Sequence, residues 1–278
     1  VIKTSVNTGV MSGDCVGINR GVLICKNIYN RYSDLNAKQF MYATGISNNQ
    51  IKDAIYRLCI DLKMAGIFDK CTAIFPFVGG TASAHAINLI NPTLNGSFVG
   101  GMTHSLNGIQ GNGTNAYMNT GVLGSTLPQD NNHLSLYIRT NAQDTNAYDM
   151  GTAVSGTRVL GFRSRKGDDN IDAYNNNLVI MNGLNTISQR LQLYQRTASN
   201  ASAYYRDNIL INSSSAASNG TSAFNIFICT TNVSGTPQAS YTTRQYAYAS
   251  MGQSFTTQER TDYNTIINNL QTTLGRNV

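Results

Sequence analysis

Glu259 is the only glutamate in the 278-residue chain. A glycosidase needs two carboxyl groups at a set separation, so it would have to use aspartates or draw on this one residue. The neighbours of Glu259 point elsewhere. Thr256 stands three positions before it, a T-x-x-E capping box, and Tyr263, Ile266, Ile267, Leu270 and Leu274 follow at helical spacing until Gly275. A carboxylate in the first turn also suits the helix dipole. Glu259 is therefore expected to cap a helix.

The acidic cluster is "KGDDNIDAY", 166–174. Asp168-x-Asn170-x-Asp172 matches the first half of a calcium loop, but Ala173 stands where that loop needs glycine and Val179 where it needs a bidentate glutamate. A turn between two strands explains these residues without a metal. Irregular loops hold calcium with ligands that no motif captures, so that role stays open. His85, His104 and His133 lie in separate segments without metal spacing and are expected at the surface or in turns. The sequence has no G-x-S-x-G elbow, and "GNGTNAY", 111–117, reads as a turn entering a strand rather than a dinucleotide loop. Cys15, Cys25, Cys59, Cys71 and Cys229 show neither CxxC nor zinc spacing and are expected as free thiols. From these residues the chain is expected to be no enzyme, with no catalytic, cofactor-binding or metal residue assigned.

Composition sets the scaffold. Only 12% of residues are charged, roughly one in eight is Asn, and there is no Trp, so sugar stacking would fall to the fifteen Tyr or to Phe. Asn, Ser and Thr compete for backbone hydrogen bonds and favour turns and strands over helices. The formal charge of +6 comes from scattered residues, the densest group being Arg158, Arg163, Arg165 and Lys166. No nucleic-acid motif accompanies them, and an anionic glycan or a neighbouring subunit is the expected partner of any positive surface. No apolar run is long enough to span a membrane, and no signal peptide opens the sequence. Beginning at Val1, the chain reads as processed or as the tail of a longer polypeptide.

Residues 1–34, with "GVLIC" at 21–25, read as an extended arm or linker, and 35–72 as a helical lead-in. Its helix spans about 47–65, with a Ser47-x-x-Gln50 box, an Ile46–Ile51 staple and a stripe through Ile51, Ala54, Ile55, Leu58 and Leu62. From 73 to 278 come short strands such as "HLSLYIRT" (133–140), "RVLGFRSR" (158–165), "NIDAYN" (170–175), "RLQLYQRT" (190–197), "SAYYRDN" (202–208) and "FNIFICTT" (224–231), closed by the helix near 257–274. Clean alternation with turn clusters between strands predicts a mainly β sandwich or barrel.

Several motifs in order carry a family resemblance: "AIFPFVGGTASAHAINLINP" (73–92), "GNGTNAYMNTGV" (111–122), "NHLSLYIRT" (132–140) and "YASMGQSFTTQERTDYNTIINNLQTTLGR" (248–276). Together with the helix within 43–70, they resemble a module of tailed-bacteriophage structural proteins related to concanavalin A-like and laminin-G-like domains. The resemblance covers roughly residues 40–276. It implies a concanavalin A-like jelly-roll sandwich on a virion, in a tail fibre, tailspike or head fibre, assembled in the host bacterial cytoplasm. It further implies a homotrimer among other virion proteins that adheres to a host-surface glycan or decorates the particle. A carbohydrate-binding module and a tailspike polysaccharide hydrolase are the alternatives. No binding residue is carried over from the family.

Overall fold

The computed structural model describes residues 33–278 except Thr145, together with the backbone of an antiparallel hairpin, Cys15–Asn19 with Val22–Cys25. The expectation of an assembly arm at 1–34 otherwise lies outside the described residues.

The fold is the expected mainly β jelly-roll sandwich of concanavalin A-like type. One sheet has nine strands, with Met181–Leu184, Asn170–Asn177, Arg158–Arg163, Met150–Val154, Asn225–Ile228, Tyr117–Leu123 and Ser97–Val99 side by side. The other has eight, in the order Ile209–Ser214, Ala201–Arg206, Arg190–Ala198, Asn132–Ile138, Gln245–Gly252, Gly108–Gln110 and Thr103–Ser105, with Cys71–Phe75 also pairing Gln245–Gly252. Among the described residues all pairings are antiparallel except one: Thr231–Val233 runs parallel to Met150–Val154.

Leu134, Leu136, Ile138, Met150, Leu160, Phe162, Ile226 and Ile228 fill the space between the sheets. A second core lies on the far side of the eight-stranded sheet, where helices α1 (Leu35–Thr44), α2 (Asn49–Met64) and, after the short α3 (Ala82–His85), α4 (Thr257–Thr273) pack. Ile55, Leu58, Leu62, Ile267 and Leu270 meet Tyr137, Leu191, Leu193 and Tyr248 there. The middle of the eight-stranded sheet is thus buried on both faces, and every residue of Asn132–Ile138 is buried. Alternation along this strand separates two interiors, one apolar and one carrying polar groups, instead of core from solvent. The three long helices all contribute to this second core, and the nine-stranded sheet turns its outer face away from them.

The helix caps explain where the helices start. Thr256 Oγ1 accepts from Glu259 N at 3.2 Å, and Glu259 Oε2 accepts from Thr256 N at 2.7 Å, which completes the capping box. Lys70 Nζ sits 2.6 Å from the same oxygen and ties α4 to the loop before Cys71–Phe75. Burial would raise the Glu259 pKa, but Lys70 and Thr256 together hold it below the usual value. The lead-in departs from expectation in two ways. It is two helices separated by a left-handed Gly45, and α2 is capped by Asn48, whose Oδ1 accepts from Ile51 N at 3.1 Å. Asn caps at least as well as Ser. Gln50, freed from a Ser47 box, donates to Thr273 O at 2.6 Å and joins α2 to α4.

Candidate functional site

On the outer face of the nine-stranded sheet, Gly151 and Gly161 face each other across two neighbouring strands. A Cβ on Gly161 would lie 2.8 Å from Gly151 Cα, and one on Gly151 would lie 2.6 Å from Thr231 Oγ1. The bare backbone lets a tongue, Thr231–Val233 with Thr236–Pro237, lie close against the sheet. Its tip turns through Ser234 and Gly235, both at positive φ, and Asn232 Oδ1 accepts from Gly235 N at 2.9 Å.

The tongue and the segment leaving it border two depressions. One, of about 500 Å³, is lined by Tyr148, Ala153, Val159, Thr231, Val233 and Gln238 among others. The other, of about 240 Å³, is lined chiefly by Thr114, Asp144, Asn146, Ser240 and Tyr241. Ala147 and Ala239 line the smaller and their chain neighbours Tyr148 and Gln238 the larger, so the two depressions lie side by side as a two-part track. Tyr241 lies 6.4 Å from Tyr117, which stacks on Phe227 at 4.7 Å. Tyr148 carries the Arg163 guanidinium 4.2 Å over its ring. Thr231 is 1% exposed, yet its hydroxyl has no partner.

A buried ion pair holds the walls. Arg244, fully buried, reaches both oxygens of Asp149 at 2.9 and 3.0 Å and donates to Ala142 O and Arg165 O. Asp149 also accepts from Tyr246 OH at 2.7 Å and Ser164 N at 2.6 Å. Burial alone would lower the Arg244 pKa; Asp149 outweighs it and drives it up. Asp144, at the rim, accepts from Thr242 and lies 3.5 Å from Arg244. One guanidinium therefore fixes segments 142–149 and 242–246 together. The third wall is set by Asn112, whose Oδ1 accepts from the backbone N–H groups of Thr114, Asn115 and Ala116, the turn into a strand expected of "GNGTNAY".

Other candidates fall elsewhere. The aspartates of 166–174 face cations: Asp172 pairs with Arg163 and Lys166, each at 3.1 Å, Asp168 with Lys166 at 3.3 Å and Asp169 with Arg165 at 2.7 Å. Among the described residues no group of three His, Cys, Asp or Glu is placed to hold a metal ion. Cys59, Cys71 and Cys229 are free and buried.

The surface expectation for the histidines fails for two of them. His85, 1% exposed, meets His104 with 3.0 Å between their Nδ1 atoms, and burial drives the His85 pKa down to about 3. His133 is fully buried under α4, its Nδ1 2.6 Å from Gln253 O and its Nε2 2.8 Å from Ser250 Oγ. Ser250, Ser135 and the Tyr263 hydroxyl bond one another at 2.5–2.9 Å. This is a Ser–His contact, but its third member is a backbone carbonyl and the group lies sealed between sheet and helix.

No protein-family model matches the sequence, and a search of curated proteins gives no match. Similarity appears among solved structures. Trypanosoma rangeli sialidase with 2,3-difluorosialic acid aligns over 70% of this chain and 32% of its own, at 9% identity and a TM-score of 0.54. The same sialidase with 2,3-difluoro-KDN aligns over 77% of this chain and 39% of its own, at 10% identity and 0.50. Domain 4 of the arabinanase AbnA from Geobacillus stearothermophilus, with arabinotriose, aligns over 69% and 97%, at 10% and 0.47. The chain spans about a third of the sialidase it matches. At such identity the likeness is one of fold. It nevertheless overturns the expectation that the chain is no enzyme: that expectation took missing motifs as its ground, and the fold is shared with sialidase chains.

Proposed function

We propose that this chain is a glycan-binding sandwich whose site is the two-part track beside the Thr231–Tyr241 segment. The observation that carries the reading is the polar lining of the smaller depression, where a carboxylate (Asp144), an amide (Asn146), hydroxyls (Thr114, Ser240) and Tyr241 converge on about 240 Å³. Sugars are bound by such sets, with their hydroxyls paired to planar acceptors and donors. The likeness in fold to chains that act on saccharides supports a saccharide ligand in general, without indicating which sugar.

The ordered motifs that resemble phage structural modules support a wider reading: a homotrimeric virion component that meets a host-surface glycan. Peptides of the chain in purified virions, and a sedimenting mass of three chains, are the expected results; a monomer absent from particles would refute it. Binding itself is tested on immobilised bacterial surface polysaccharide. The intact chain is expected to be retained and Tyr241→Ala to lose at least about tenfold in affinity; equal retention of both would refute the site. The sialidase likeness favours a second reading, that the bound chain is also cut. Release of reducing ends in the same incubation would establish it, and unchanged ends would dismiss it.

A further inference from the structure

The track is lined on both sides of its dividing ridge by neutral residues and a single carboxylate, Asp144; no Lys, Arg or His among the described residues lines either depression. Two cations close to the walls are already engaged. Arg244 lies behind the wall, fully buried, with Asp149 and Asp144 both against it, so that the three groups together carry one net negative charge. Arg163 is spread over the Tyr148 ring and paired with Asp172. Recognition of a sugar carboxylate ordinarily uses a guanidinium fork or an ammonium free to face it. Here an anionic sugar would meet a carboxylate first and be repelled by it.

Building on the glycan reading above, we infer that the ligand is an uncharged saccharide and that the site discriminates against sialic and uronic acids, even though the chain as a whole is positive. The Asp144 carboxylate accepts from sugar hydroxyls, and Asn146 donates and accepts beside it. Tyr241 closes the wall of this polar depression beside Ser240. Across the ridge, Ala153, Val159 and Val233 give the larger depression an apolar floor against which the next sugar residue packs. Two adjoining depressions, one of them sized for a single sugar ring, fit a short stretch of a neutral chain.

The test uses the intact protein on two sets of probes: neutral gluco-, manno- and galacto-oligosaccharides, and carboxylated sialo- and galacturono-oligosaccharides. At least one neutral probe is expected to bind at least about tenfold more tightly than any carboxylated one, with affinity changing less than about twofold between about 50 mM and about 500 mM salt. Asp144→Asn is expected to narrow the neutral preference about fivefold by admitting the anionic probes. Tighter, salt-sensitive binding of a carboxylated probe that Tyr241→Ala abolishes would overturn the inference while leaving the glycan site standing. Binding to neither set, or binding that Tyr241→Ala leaves intact, would bring down the glycan site and the inference with it.

Discussion

Replacing His133 by Gln should change how the stability of this protein responds to acid. His133 is enclosed between Asn132–Ile138 and α4, with Phe255 4.3 Å from its ring centroid. Burial drives its pKa from 6.5 down to about 4, against the opposing pull of Gln253 O and with Lys70 adding to the fall. The neutral ring donates through one nitrogen to Gln253 O and accepts from Ser250 through the other. In the unfolded chain the same ring takes a proton near pH 6.5. Between about pH 6.5 and about pH 4 the unfolded state thus binds the extra proton, and stability falls as pH falls. The contribution is complete above 6.5 and gone below 4. At about 1.4 kcal/mol per pH unit the window is worth roughly 3 kcal/mol. Urea unfolding of wild type and His133→Gln at steps from pH 7.5 to 4 would measure it. The variant is expected to be less stable at pH 7.5 and to close the gap by roughly 3 kcal/mol on acidification, since His85 and the carboxylates titrate alike in both proteins. Parallel stability curves across that window would refute a neutral, buried His133.

Two further substitutions probe the packing of α4 and the end of the chain. Glu259→Ala should cost about 0.5–2 kcal/mol through loss of the capping box, be partly non-additive with Thr256→Ala, and leave glycan affinity unchanged; thermal melts and a double-mutant cycle measure this. Arg276 is buried and donates to Phe77 O, Pro76 O and Ala247 O with Gln271 alongside, so Arg276→Ala should strand these acceptors and lower stability by about 3 kcal/mol in chemical denaturation, more than any surface arginine.

What could be read in advance follows a physical line. The α4 start was legible because a capping box is local: its four hydrogen-bonding atoms lie within four residues. The stripe of α2 was legible for the same reason, although Asn48 took the cap from Ser47 at no energetic disadvantage. Gln245–Gly252, at the middle of the eight-stranded sheet, shows no alternation because both of its faces are interior; Tyr246 and Ala249 serve one core, Ala247 and Tyr248 the other. His133 looked like a surface residue because its partners stand 117 and 120 positions away. The candidate site was hidden more completely. Its walls come from around residues 114, 144–148, 231–233 and 236–241, none with a spacing that stands out, and one buried arginine at 244 brings two of them together. The glycines at 151 and 161 were visible, but the tongue they admit was not.

The pairing of Cys71–Phe75 with Gln245–Gly252 also governs the birth of the molecule. Ala249 lies opposite Phe75, roughly 170 residues further along. During synthesis at about 5–20 residues per second, the first strand and the apolar faces of α1 and α2 wait on the order of 10 to 35 s before their partner strand exists. Throughout that interval Ile55, Leu58 and Leu62 have neither Tyr248 nor Ile267 to cover them. The nascent chain thus carries an uncovered apolar surface until that strand emerges, a natural target for a ribosome-associated chaperone. Slowing translation of the segment between residues 75 and 245 should lengthen that exposure and lower the yield of soluble protein, whereas slowing it after residue 252 should not.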